Sequence, residues 1–116
     1  MTTALFGLVP SPNEDEFIVR LDDEAKIRHA RDILSGNETS QVHVQGRVVP
    51  KTADHNPDWN FHLDPDSITF FDKADEDCDA TGHYVATQLD HVGEEGFLPE
   101  NVWAPSRSKI TRELGS

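Results

Sequence analysis

The chain is nearly devoid of cysteine. Cys78 is the sole one in 116 residues, so no intramolecular disulfide can form. Positive charge is scarce too. Ten Lys and Arg stand against 22 Asp and Glu, a formal net charge of −12. Such a surface repels nucleic-acid phosphates and anionic membranes, which excludes both as expected partners and leaves cations and basic proteins. No apolar run approaches the ~20 residues of a membrane span. Ala4 to Pro10 is too short for a signal-peptide core and lacks a basic lead-in. The expected compartment is therefore the cytoplasm, or a secreted setting if a targeting segment has been removed. A glycine-rich phosphate loop, a serine-centred elbow and a paired-cysteine metal motif are all missing. Basic residues are scattered, without an aromatic-lined basic patch.

Hydrophobic residues make up 35% of the chain. That is low for a globular protein, but the residues are clustered, which argues against general disorder. The length fits one domain with one modest core. Residues 1–15 read as a flexible N-terminal arm, in which Ala4 to Val9 supplies an edge strand or a core contact, followed by a Pro10–Asp15 linker. Residues 16–116 read as a single domain. Phe17 to Leu21 is a short strand. Asp22 is placed to cap a helix over 23–35, with Ile27, Ala30, Ile33 and Leu34 as its apolar stripe and Gly36 at the left-handed stop. Val42, Val44 and Val48 alternate with polar residues as the dry face of a strand.

The densest stretch is Asn56 to Asp72, which holds four of the nine aromatics. Trp59, Phe61 and Leu63 alternate as a strand, Asp64-Pro65-Asp66-Ser67 carries turn chemistry, and Ile68 to Phe71 returns. Asp72, with Asp75 three positions on, then reads as the cap of a second helix over 73–92. Ala74, Cys78, Gly82, Val85, Leu89 and Val92 form its core face. A final strand covers Ser108 to Leu114. The order strand–helix–strand–strand–helix–strand implies an α+β fold, a small and largely antiparallel sheet with two helices on one face, for which a ferredoxin-like arrangement is one wiring.

Four groups could carry chemistry. Asp75, Asp77 and Asp79 imitate the first half of a calcium loop, but Ala80 and Ala86 stand where glycine and glutamate are needed. Asp79 and His83, four apart on the expected helix, could share a divalent metal with His62, since imidazole and carboxylate suit zinc; a surface role for the same residues needs no metal. Cys78 has the neighbours of a buried thiol, because flanking acids raise a thiol pKa rather than lower it. The aromatics read mainly as core, but Trp59 and Trp103 sit at loop edges and, with His62, are the residues expected to meet a partner.

Taken together, Ile27 to Gly36, Val42 to Val49, Asn56 to Asp72, Cys78-Asp79-Ala80 and Trp103-Ala104-Pro105-Ser106-Arg107-Ser108 resemble the N-terminal domain of the slime-mould calmodulin-binding-protein (BP seventy-four) family and its bacterial stand-alone relatives. The likeness covers about Phe17 to Leu114. It implies a second cysteine after the late tryptophan; here that position is Ala104, so the family bridge to Cys78 is absent, which speaks against an extracellular setting. It implies no catalytic role. Nor does it confer calmodulin binding, which favours basic amphipathic helices, whereas both helices here are acidic or mixed. The expectation is a non-catalytic binding module with an acidic, aromatic-edged surface for a protein or small ligand and no cofactor. The alternative is a metal-binding protein or metal-dependent hydrolase using His62, Asp79 and His83.

Overall fold

The computed structural model describes residues 2–73, 76–94 and 96–115. The expected placements of Ala74 and Asp75 lie outside these residues. In chain order the elements are β1 (Ala4–Val9), β2 (Phe17–Leu21), α1 (Glu24–Ser35), β3 (His43–Val49), β4 (His62–Leu63), β5 (Thr69–Phe71), α2 (Gly82–Thr87), β6 (Val102–Trp103) and β7 (Lys109–Gly115), with single 3-10 turns at Pro65–Ser67, Glu76–Cys78, Leu89–His91 and Pro99–Asn101. The fold is α+β with two helices and small antiparallel sheets. The strands form two sheets rather than one, so the ferredoxin-like wiring is not adopted.

The first sheet runs β2-β1-β7, all antiparallel. Its middle strand is β1, which corrects the reading of residues 1–15 as an arm. Ala4, Phe6 and Leu8 alternate and are almost fully buried, and an alternating dry face is what a strand covered on one side requires. The second sheet is built on β3, which pairs with β5 through His43–Gln45, with β6 through Gly46 and Arg47, and with β4 through Val48 and Val49. The start of β3 lies beside β7, and β4, at its far end, lies beside β2. The second sheet therefore crosses the first from one edge to the other.

Helix α1 forms nearly where its sequence places it. Asp23, not Asp22, is the cap: its carboxylate accepts from the Ala25 and Lys26 amides, while Asp22 binds Arg20 and Thr3. Gly36 closes the helix at φ 88°, a conformation that costs other residues a Cβ clash. Ile27 and Ala30 are buried beneath it.

The second helix departs most from expectation. Instead of a run from 73 to 92, the chain forms a 3-10 turn, a six-residue α2 and another 3-10 turn. The carbonyls a continuous helix would use are taken by distant donors. Asp77 O accepts from the Leu98 amide and Cys78 O from the Ala104 amide, each at 2.7 Å, and Ala80 O accepts from Trp103 Nε1 at 2.9 Å. Helix α2 then starts afresh, capped by the Thr81 hydroxyl on the Tyr84 amide and not by Asp72. Gly82 is needed there because a Cβ would meet the Trp59 ring at 2.7 Å.

The two sheets are joined through Asn56, which is 1% exposed. Its Oδ1 accepts from the Ile18 amide of β2 at 2.9 Å and its Nδ2 donates to the Phe61 carbonyl at 3.1 Å. Asn56→Ala leaves both groups buried without a partner, at about 1–3 kcal/mol each. The expected result is a large fall in urea midpoint. Asn60→Ala, which removes one exposed bond to the Ala86 carbonyl, is expected to cost under about 1 kcal/mol. Equal losses for the two variants would contradict the bridging role of Asn56.

Candidate binding groove

A concavity of about 710 Å³ opens where the two sheets and α1 converge. Ile33 and Leu34 of the last α1 turn and Val42 and His43 at the start of β3 form one side. Arg107 to Thr111, leading into β7, form the other. Leu34 is 38% exposed, one of two large apolar side chains left in solvent among the described residues; the other is Tyr84. Helix α1 is held over β7 by a two-pronged ion pair, Arg31 to Glu113, at 2.9 and 2.8 Å. The His43 Nδ1–H donates to the Ser108 carbonyl at 2.8 Å, which sets the separation of β3 from β7. The Ser108 side chain is buried, and its hydroxyl has no partner among the described residues.

Two cations and no carboxylate line this groove. Arg20, Arg31, Arg47 and Arg112 are paired with Asp22, Glu113, Asp64 and Glu16. Arg107 and Lys109, both exposed on the groove rim, make no ion pair among the described residues. The sequence reading passed over both. The signal for them is regional: between Glu100 and Glu113 there is no acidic residue, in a chain that has 22.

The residues expected to meet a partner are elsewhere. Trp103 is fully buried and Trp59 is 6% exposed. The indole N–H groups are satisfied inside, Trp59 by the Glu16 carbonyl at 2.8 Å and Trp103 by the Ala80 carbonyl at 2.9 Å. With its polar atom paired, an indole is free to be enclosed. Both rings pack edge-on against Phe17 at 5.3 and 5.4 Å, so both tryptophans are core and the expectation that they are exposed is corrected.

The expected metal set is not assembled either. His62 Nδ1 donates to the Lys51 carbonyl, Asp79 accepts from the Ser106 amide and hydroxyl, and His83 faces Glu14 at 3.5 Å. Asp79 precedes α2 rather than sharing a helical face with His83. Among the described residues, no three His, Cys, Asp or Glu side chains form a group able to hold an ion. Glu14 instead serves the start of α2, accepting from the Gly82 and His83 amides at 2.8 and 2.7 Å. Burial is the largest influence on its carboxyl and works upward. The Ser11 hydroxyl and the His83 and Gly82 amides outweigh it and hold the group below its usual range.

Cys78 and Ala104 line a second hollow together, their backbones joined by the Ala104 amide bond to the Cys78 carbonyl. The position at which the resemblance implies a second cysteine is thus joined to Cys78 through the backbone. Ala104→Cys is expected to oxidise in air to a Cys78 bridge, raising stability by up to about 3 kcal/mol in a manner that reductant reverses. Two titratable thiols persisting after oxidation would show that the side chains diverge.

His55 supplies a pH dependence. Burial first, then the neighbouring His62 and Arg20, hold its imidazole below its ordinary 6.5, against the opposing pull of Asp22 and Asp54. Its Nε2 is buried with no partner among the described residues. The unfolded chain therefore takes up this proton at a higher pH than the folded chain does. The His55 contribution is intact above 6.5 and is lost as pH falls through that value toward the folded pKa. Between about pH 7.5 and about pH 5.5 the urea midpoint of the protein is expected to fall more steeply than that of His55→Leu. Parallel slopes would remove His55 as the cause.

The family model for the BP seventy-four N-terminal domain matches residues 2–116. Nothing matches among curated proteins or among solved structures. No helix of the described residues is long and apolar enough to cross a membrane.

Proposed function

The chain belongs to the BP seventy-four N-terminal domain family, and from that premise we propose that it is a non-catalytic binding module whose docking face is the groove between α1, β3 and β7. Its ligand combines an apolar surface with an anionic group. The observation that carries this reading is the pair of cations Arg107 and Lys109, in no ion pair among the described residues, beside an apolar floor of Ile33, Leu34 and Val42 in a molecule of charge −12. Lys26, Arg28, Lys51 and Lys73 also make no ion pair among the described residues, but none of them lines this groove. Two cations left on the rim raise the local potential, and that steers an anion to this face more than to any acidic one. The floor adds roughly 25 cal/mol for each Å² of apolar surface covered.

A non-catalytic role is supported by how the polar groups of the groove are used. His43 Nδ1 is committed to a backbone carbonyl, not to the Ser108 hydroxyl, and that hydroxyl is enclosed. General-base activation of a nucleophile needs the two side chains in direct contact. The acidic, aromatic-edged surface expected at Trp59 and Trp103 gives way to this groove because both indoles are interior.

The test is titration with dodecanoate and with dodecanol, followed by backbone amide shifts. The anion is expected to perturb residues 33–34, 42–43 and 107–111, and the alcohol to bind at least about tenfold more weakly. Arg107→Glu with Lys109→Glu should abolish binding of the anion without lowering the melting temperature, since neither side chain holds an ion pair among the described residues. Shifts that centre on Tyr84 and Phe97, or that survive the double charge reversal, would overturn the assignment.

A further inference from the structure

Resting on the binding reading above, we infer that this groove takes up its anion together with a proton on His43, so that the ligand is held in mildly acidic surroundings and released in alkaline ones. The tautomer of His43 is set by its contact. Its Nδ1 lies 2.8 Å from the Ser108 carbonyl oxygen. That oxygen can only accept, so Nδ1 carries a hydrogen in the neutral ring and in the charged ring alike. The proton gained on acidification therefore goes to Nε2. This nitrogen makes no hydrogen bond among the described residues, and it is open to solvent: the buried side-chain N and O atoms without a partner there are His55 Nε2 and Ser108 Oγ. Protonation thus changes the charge of the ring and leaves intact the bond that sets the separation of β3 from β7. The groove keeps its shape and gains a third positive charge.

The position of that charge couples it to the ligand. His43 is tied to Ser108, the residue between Arg107 and Lys109, and all four line the groove. Consecutive Cα atoms are about 3.8 Å apart, so the imidazole stands beside the gap between the two cations. In the empty groove these cations oppose a further positive charge. An anion held there removes the opposition. By linkage, the proton then tightens the anion by the same factor as the anion tightens the proton. An imidazole changes its charge between about pH 5 and 8, so the coupling acts near neutrality. Among the described residues no carboxylate pairs with the ring. Helix α1 brings the uncharged Ile33 and Leu34 to the groove, while its Arg31 is spent on Glu113 and its His29 on the Gln41 carbonyl. From β5 comes Phe71, its ring centroid 5.4 Å from that of the imidazole, followed by the exposed Asp72. Asp79 is engaged by the Ser106 amide and hydroxyl. Of the six histidines, His43 is the one that lines the groove.

The probe is octanesulfonate, whose sulfonate stays ionised throughout, titrated at about pH 8 and about pH 6 and followed by backbone amide shifts. Octanol is the neutral control. The sulfonate is expected to bind at least about threefold more tightly at the lower pH, and octanol equally at both. The His43 imidazole resonances of the unaltered protein should titrate at a higher pH once the groove is saturated, a readout that needs no variant. His43→Gln keeps an N–H able to reach a carbonyl but has no charge to gain, and should bring the ratio of the two affinities to about one. His29→Gln, outside the groove, should leave the ratio in place. If the unaltered protein binds the sulfonate equally at both pH values, if the ratio survives His43→Gln, or if the His43 resonances titrate alike with and without ligand, the proton-coupled inference falls and the anion groove stands. Octanol tightening as much as the sulfonate would make the change one of shape rather than charge and overturn the inference. If octanesulfonate binds at neither pH, both readings fall.

Discussion

One side-chain amide holds the two halves of this fold together. Asn56 is enclosed, yet both ends of its amide are satisfied, by the Ile18 amide of β2 and the Phe61 carbonyl ahead of β4. In the low dielectric of a core such a pair is strong when complete and costly when broken. It fixes where the second sheet crosses the first. Phe17, Phe61, Trp59 and Trp103 then close over the same seam with ring centroids 5.1 to 5.8 Å apart. The Trp59 and Trp103 N–H groups are spent on backbone carbonyls, so this apolar seam buries no unpaired polar atom of either ring.

The crossing has a consequence at its other end. On the side away from β1, the His43–Ser108 bond and the Arg31–Glu113 pair link the β7 segment to β3 and α1. The β7 edge is therefore bordered but not paired, and the apolar end of α1 overhangs it. The groove is the space left when two sheets pinned at Asn56 splay at the opposite edge. Its charge follows from the same arrangement. Arg112, three residues beyond Lys109, turns to Glu16 just ahead of β2, whereas Arg107 and Lys109 make no ion pair among the described residues.

Much of the chain was legible without coordinates. Helix α1 and its Gly36 stop, the buried alternation of Trp59, Phe61 and Leu63, the Asp64–Ser67 turn and the last strand all rest on signals a few residues apart. Side-chain period, capping oxygens and turn chemistry act over that range, and the chain carries them plainly. The family resemblance was equally legible, because it lies in contiguous words such as Trp59 to Asp66.

Tertiary structure decided the rest, and for a common reason: the deciding partner is far away in sequence. Ala4–Val9 has the pattern of any short strand, and only the arrival of β7, a hundred residues later, makes it the middle one. The stretch 73–92 has helical spacing, but carbonyls 77, 78 and 80 are claimed by donors at 98, 104 and 103. His62, Asp79 and His83 look like ligands until each is tied to a different neighbour. Arg107 and Lys109 look like two of ten scattered cations until the fold brings Leu34 and Val42 beside them. Local chemistry thus determined where α1 and several of the strands lie; long-range hydrogen bonds and ion pairs determined which edge is left open and what charge it carries.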